Sequence, residues 1–172
     1  MDIRERVLQI RSKRDKSELV NHFVQTPSDI PKLVQLIKDL EPYPNKEYAS
    51  WSLIHLIKSK QLDLQHLYND LVGILYTTDD QSVLRNVTCC LSHLKISDYR
   101  ESEFIDLLIL FIQTFENKVA LQVYSMRILI QFCKKYPELT PEIMEVIELN
   151  QEGKTAAYGS ARRNFIKKLK IK

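Results

Sequence analysis

The apolar residues of this chain recur at helical spacing along most of its length. In two separate stretches they fall at positions i, i+3, i+4 and i+7, the second with one gap, as expected for one face of an α-helix. These sets are Leu33, Leu36, Ile37 and Leu40, and Leu67, Leu71, Ile74 and Leu75. The β-branched residues follow the same spacing, and no Asn-Gly or Asp-Gly hairpin turn occurs. The pattern predicts an all-α protein.

The apolar positions also repeat at a longer period of 38 residues. Leu53, Leu91 and Leu129 are each 38 apart, and one turn upstream Ala49, Val87 and Ser125 keep the same step. Leu56, Leu94 and Phe132 accompany them, and Ala161 and Phe165 form a fourth copy after 36 residues. In the preceding helices the matching column is Leu33, Leu71, Ile109 and Ile147, with Leu36, Ile74 and Ile112 beside the first three. Two columns in one register indicate stacked helical hairpins, near the ~40–47-residue period of HEAT and armadillo repeats.

We therefore predict a HEAT/armadillo-like α-α superhelix, a right-handed solenoid of about four A/B helix pairs. The predicted pairs are 29–40 with 46–58, 64–77 with 81–95, 101–115 with 118–135, and 141–149 with 155–170. They define repeats at about 28–58, 63–95, 100–135 and 138–172 of a single domain. Predicted helix starts are marked by Ser28 before Pro31, by Asp63 before Leu64, and by Thr140 before Pro141.

The first 25 residues are expected to form two more helices that cap the exposed edge of the first repeat. We expect the break between these helices near Arg14, Asp15 and Lys16, with Ser17 as the N-cap of the second one.

Composition agrees with a globular domain, because 44% of the 172 residues are hydrophobic and 27% are charged. The first residues lack the apolar core of a secretory signal. The most apolar stretch, Phe104 to Phe115, is too short for a membrane span of ~20 residues. Three cysteines, two of them adjacent (Cys89 and Cys90), favour reduced thiols in a cytoplasmic protein over a disulfide framework.

Charge is distributed unevenly near the C-terminus. Five acids and no Lys or Arg lie between Glu138 and Glu152, whereas seven basic residues and no acids lie between Lys154 and Lys172. We interpret the two segments first as neighbouring solvated faces that attract each other. The basic residues favour a solvated end to the solenoid, but an apolar edge there would allow a homodimer, so monomer and homodimer both stay open.

Two segments carry a more specific resemblance. Residues 118–126 (KVALQVYSM) and 155–162 (TAAYGSAR) resemble a family of short bacterial HEAT-like repeat proteins that has no established biochemical activity. The segment DDQSVLR at 79–85, at the start of a predicted B helix, resembles a degenerate HEAT pattern. The arrangement of the predicted helices resembles that of the family over most of the chain, which implies a helical repeat fold.

Proteins of this family often carry the name adenylosuccinate lyase. The mobile loop of genuine lyases of that superfamily reads G-S-x-x-M-P-x-K-x-N-P. Here Gly159 and Ser160 match the loop, but the following ARRN lacks its Met, Pro and Lys and lies in a predicted amphipathic helix. We therefore predict that the chain has no lyase activity.

Candidate binding residues follow from the face of the B helices that points away from the core columns. In a solenoid these helices line the concave surface, where partners bind. The inner face would present aromatic residues toward the N-terminus and cations toward the C-terminus, which suits a protein partner, acidic in character, or a phosphate-bearing polymer. The alternative is that Tyr48, Trp51 and Tyr124 pack between neighbouring helices. The candidates are Tyr48, Trp51, His55, Arg85, Asn86, His93, Tyr124, Arg127, Gln131, Arg163 and Lys167.

Signals for catalysis or for a bound metal are weak. Cys89 and His93 are four residues apart and His55 lies one repeat away, but no CxxC or HExxH spacing supports a metal site. No nucleophile–base arrangement and no phosphate-binding glycine loop is recognisable, and we predict no cofactor.

Two functional hypotheses remain. The first is a non-catalytic module that recognises a protein partner on its concave face. The second is a nucleic-acid-binding protein akin to the HEAT-like DNA repair glycosylases, motivated by the C-terminal cations together with Arg85, Arg127 and Arg163. The catalytic acid and aromatic pair of those enzymes have no visible counterparts here.

Overall fold

The computed structural model describes residues 2–10, 13–114 and 116–171, and within them all regular secondary structure is helical, without a β-strand. The helices group into two compact units, Met1–Leu94 and Lys95–Lys172. The prediction of an all-α chain is confirmed. Phe115, the predicted end of the third A helix, and Lys172, the last of the seven cations, lie outside the described residues.

The first unit contains α1 to α6. Helices α3 and α4 pack together, α4 packs against α6, and α5 packs against α6. Helices α1 and α2 both pack on α4. The bounds are α1 Ile3–Leu8, α2 Lys13–Gln25, α3 Ile30–Lys38, α4 Asn45–Ser59, α5 Tyr68–Ile74 and α6 Gln81–Leu91.

The second unit contains α7 to α10. Helix α8 packs against both α7 and α10, and α9 packs against α7. The bounds are α7 Glu101–Gln113, α8 Val119–Lys135, α9 Thr140–Leu149 and α10 Ala156–Leu169. None of the helices in the described part of the chain combines the length and the apolarity needed to cross a bilayer.

The B-helix core columns are buried as predicted. Leu53, Leu91 and Leu129 are at most 1% exposed, as are Ala49, Val87 and Ser125. Leu94 is the exception and is only half-buried. It lies beyond the end of α6, which stops at Leu91 rather than at 95. The hydroxyl of Ser92 donates to the carbonyl of Cys89 (2.7 Å), a local bond that competes with continuation of the helix.

A 3₁₀ turn precedes three of the A helices; α3 and α5 are shorter than predicted, whereas α9 begins one residue earlier than predicted. Pro27–Asp29, Gln65–Leu67 and Pro137–Leu139 form these turns directly before α3, α5 and α9. Ser28 therefore lies inside a turn and does not cap α3. Asp63 does accept a hydrogen bond from the Gln65 N–H (3.0 Å), while Thr140 is the first residue of α9 and not its cap.

The predicted break near Arg14, Asp15 and Lys16 is wrong, because α2 runs without interruption from Lys13 to Gln25. Arg14 instead pairs with Glu18 one turn later (Nε–Oε1 2.8 Å), and Ser17 is an exposed residue inside the helix. Charged residues at this spacing suit the solvent face of a helix, so they do not signal its start.

Candidate binding site

Three of the predicted candidates lie on α4 and form an aromatic ridge. Tyr48, Trp51 and His55 are half-buried, and the rings of Trp51 and His55 meet edge to face with centroids 4.6 Å apart. The Lys16 ammonium of α2 lies 4.2 Å from the centroid of the Trp51 ring, within the range of a cation–π interaction. The indole is therefore held in place by groups from two helices.

Asn86 and Arg85 extend this ridge from α6. Asn86 is 1% exposed, and its side-chain amide donates to Ser50 Oγ at 3.0 Å. The prediction that Asn86 points away from the core is wrong: α4 and α6 pack at this point, and its amide is satisfied between them. Arg85 Nε donates to Asn86 Oδ1 at 3.1 Å, so the buried amide orients the guanidinium.

A cavity of about 240 Å³ lies where these residues meet. It combines an apolar wall with one guanidinium and one carboxylate, and neither Arg85 nor Glu47 forms an ion pair with another residue in the described part of the chain. An opening with aromatic walls and a few fixed polar groups is typical of a recognition pocket. It is lined by Ile10, Glu47, Tyr48, Trp51, Arg85 and Asn86.

His55 also borders a second cavity, of about 530 Å³, between α2 and the C-terminal part of α4. Burial, together with the charges of Lys16 and Lys58, lowers the pKa of His55 below its usual value. The neutral imidazole is therefore favoured at neutral pH. Its buried Nε2 has no hydrogen-bond partner within the described residues. His93, the last candidate of this unit, is exposed in the turn after α6.

The remaining candidates belong to the second unit and are less concentrated. The Arg127 guanidinium lies 5.3 Å from the centroid of the Tyr124 ring, one turn away on α8. Gln131 accepts a hydrogen bond from the Ile96 N–H (3.3 Å), which gives it a structural role. Arg163 and Lys167 are exposed on α10.

Charge in this unit separates by helix. Helices α8 and α10 contain no acidic residue, whereas α7 and α9 carry three each. Ion pairs join the two classes: Lys135 lies 3.0 Å from Asp98 and 2.5 Å from Glu101, and Arg162 Nε donates to Glu148 at 2.9 Å. The Arg162–Glu148 pair joins the acidic and basic segments that the sequence places side by side.

The residues considered for a metal site do not form one. Cys89 is buried whereas His93 is exposed, and the described residues contain no cluster of three or more His, Cys, Asp or Glu side chains that could hold an ion. All three cysteines are buried and free. Burial raises the pKa of Cys90 well above its ordinary value, which disfavours the thiolate that a nucleophile needs.

The cavity contains residues that the repeat pattern does not identify. Ile10 follows α1 and lies outside the 38-residue register. The same is true of Lys16 on α2, which contacts the cavity residue Trp51. Glu47 directly precedes Tyr48 and lies one turn before Trp51. This position on α4 could have identified it from the sequence as a neighbour of the candidate residues.

Comparison with known proteins identifies a repeat family. A family profile described as a HEAT repeat domain matches residues 3–169. No curated protein and no solved structure matches the chain significantly.

Proposed function

Because the chain belongs to the HEAT repeat family, we propose that it is a non-catalytic binding module that recognises a protein partner at the cavity between α4 and α6. The observation that carries the proposal is the grouping of Trp51, Tyr48 and Arg85 around one opening. Trp, Tyr and Arg are the residues that dominate binding energy at protein interfaces.

The order of these side chains supports the proposal further. Trp51 is fixed by Lys16 and His55, and Arg85 is fixed by Asn86. Immobilising a flexible side chain at an interface costs about 0.5–1.5 kcal/mol of binding free energy. Side chains that are already held in one conformation avoid most of this cost. A surface built in this way is suited to recognition.

Lyase activity is not part of the proposal. Gly159 to Asn164, the segment that would correspond to the mobile loop of the lyases, lies entirely within α10. A helix packed against α8 does not provide a flexible catalytic loop. Three buried free thiols support a reducing compartment, and we propose that the protein is cytoplasmic.

Nucleic-acid binding is a second candidate, favoured by the acid-free helices of the second unit. Five exposed cations on α8 and α10 form no ion pair within the described residues, and such a surface suits a phosphate backbone. They are Arg127, Lys134, Arg163, Lys167 and Lys168. We rank this candidate lower, because the cations do not line a defined cavity like the one in the first unit.

Affinity capture from the native cell extract tests both candidates. Bait proteins are wild type, Trp51→Ala and, as a matched apolar control, Leu149→Ala, whose side chain is 75% exposed on α9. We expect wild type and Leu149→Ala to retain the same proteins in equal amounts. Trp51→Ala should retain at least tenfold less of them, because losing a typical interface hot spot costs ~2 kcal/mol of binding free energy.

The capture is repeated after nuclease treatment. Proteins retained equally by all three baits would contradict the proposed site. Recovery that disappears on nuclease treatment would favour the nucleic-acid candidate instead.

A further inference from the structure

We infer that the cavity between α4 and α6 binds a carboxylate that lies next to a large aliphatic side chain, as in an acidic segment of a protein partner. The inference rests on the proposed function and specifies the chemistry of the occupant. The hydrogen bonding of Arg85, the walls of the cavity and the position of Glu47 each favour such an occupant.

Arg85 is arranged to receive a planar anion. Its Nε donates to Asn86 Oδ1 (3.1 Å), and Asn86 in turn donates to Ser50 Oγ (3.0 Å). Because a guanidinium has five N–H donors, one used donor leaves the two terminal nitrogens available. Within the described residues no carboxylate neutralises this guanidinium. Paired, charge-assisted hydrogen bonds to a carboxylate are the interaction for which this fork is suited.

The rest of the cavity favours an aliphatic group. Ile10 is 7% exposed, and with Tyr48 and Trp51 it provides the apolar wall. At about 240 Å³ the cavity is smaller than the ~300–1,000 Å³ pockets that enclose drug-sized ligands. Two adjacent side chains of a partner fit this scale better than a cofactor does.

Glu47 restricts the charge of the ligand. Glu47 lines the same cavity as Arg85 and forms no ion pair within the part of the chain that is described. A phosphate carries about −1.5 to −2 charges at neutral pH and would be repelled more strongly than a carboxylate with one charge. The site therefore selects an acidic side chain over a phosphorylated one or a nucleic acid.

Trp51 makes the site directly observable, because it is the single tryptophan of the chain. Its fluorescence is titrated with short acetylated and amidated peptides without Trp or Tyr, in which a leucine is followed by glutamate, by glutamine or by phosphoserine. We expect a saturable change with the glutamate peptide and affinities at least tenfold lower for the other two. We also expect Arg85→Gln to lose at least tenfold in affinity for the glutamate peptide, and Arg14→Gln, a control whose side chain is 86% exposed on α2, to keep it.

Circular dichroism establishes that each variant is folded, and Arg85→Lys provides a second test. Lys keeps the positive charge but not the planar fork, so its affinity should fall at least threefold. Equal binding of the glutamate and glutamine peptides, tighter binding of the phosphoserine peptide, an unchanged Arg85→Gln titration, or no saturable change with any peptide would overturn the inference. Cellular partners lost by Trp51→Ala but retained by Arg85→Gln would refute the inference and leave the proposed function intact.

Discussion

At the scale of single residues, buried polar side chains satisfy the carbonyls that end the A helices of the second unit. The Gln122 amide donates to the carbonyl of Ile112 at 3.1 Å, and the Tyr158 hydroxyl donates to that of Ile147 at 3.0 Å. Both carbonyls lie in the last turn of an α-helix, where intrahelical partners are missing. Gln122 and Tyr158 are 36 residues apart, so the fourth repeat preserves this contact with a different residue type.

Replacing Tyr158 by Phe tests that contact. Tyr158 is completely buried, and the substitution removes only its hydroxyl. We expect a loss of about 1 kcal/mol in the free energy of unfolding at neutral pH, the net value of one such hydrogen bond plus part of the cost of an unsatisfied carbonyl. Chemical denaturation of both proteins measures it. A variant as stable as wild type would show that the hydrogen bond from Tyr158 to the Ile147 carbonyl does not stabilise the fold.

The same pair of proteins has a characteristic pH dependence. Burial, with a smaller contribution from Glu148, raises the pKa of Tyr158 from 10.0 to about 12. Above pH 10 the unfolded chain ionises this tyrosine while the folded chain does not. The contribution of Tyr158 to the free energy of unfolding is therefore fully present below pH 10 and falls as the pH rises toward 12. The stability advantage of wild type over Tyr158→Phe should narrow over that interval, whereas a constant difference would contradict the raised pKa.

At the scale of helices, Asp80 is the clearest N-cap. Its carboxylate accepts hydrogen bonds from the N–H groups of Ser82 (2.9 Å) and Val83 (3.2 Å), and Lys46 Nζ lies 3.2 Å away. Burial raises the pKa of Asp80, but the bonds from Val83 and Ser82 and the Lys46 charge outweigh it, so the net pKa is lowered. Asp80 thus fixes the start of α6, which carries Arg85 and Asn86.

Asp80→Ala should destabilise the protein by about 1 kcal/mol, the usual cost of losing an N-cap. Asp79→Ala is the matched control, because Asp79 is an exposed acid next to the cap and should change stability little. Since the pKa of Asp80 is lowered on folding, its stabilisation is present above its unfolded pKa and is lost as the pH falls through the folded value. Thermal unfolding of both variants at neutral and acidic pH checks this. Equal effects of the two substitutions would show that charge alone, and not the cap, is responsible.

Sequence patterns predicted helix identity well and helix ends less well. The B-helix columns are buried because every repeat packs the same face, and this periodicity is visible in the residues themselves. Ile109 shows the limit: it is only half-buried, and its neighbour Leu108 is fully buried instead. Apolar residues at 107–112 surround much of α7, so periodicity does not fix the rotation of that helix.

The repeat pattern predicted some residues of the candidate site and missed others. Tyr48, Trp51 and Asn86 belong to the repeat register and were found through it, whereas Arg85 was singled out as a cation of the second B helix. The position of Ile10 depends on how the N-terminal segment packs on α4, which no local pattern encodes. Glu47 lies on α4 directly before Tyr48 and was not singled out.

At the scale of the whole molecule, the chain joins two units with different surface chemistry. The first has a defined cavity with an aromatic wall and an oriented arginine, and the second has acid-free helices paired with acidic ones. HEAT repeats provide rigid stacked helices on which such surfaces are displayed. The account assigns partner recognition to the first unit.

Site-specific photo-crosslinking tests that assignment most directly. A photoreactive phenylalanine analogue replaces Tyr48, at the cavity, or Leu149, exposed on α9, in the full chain inside living cells. After irradiation, mass spectrometry identifies any covalent adduct. We expect a protein adduct at position 48 that is absent at position 149. No adduct at position 48, or the same adduct at both positions, would contradict it.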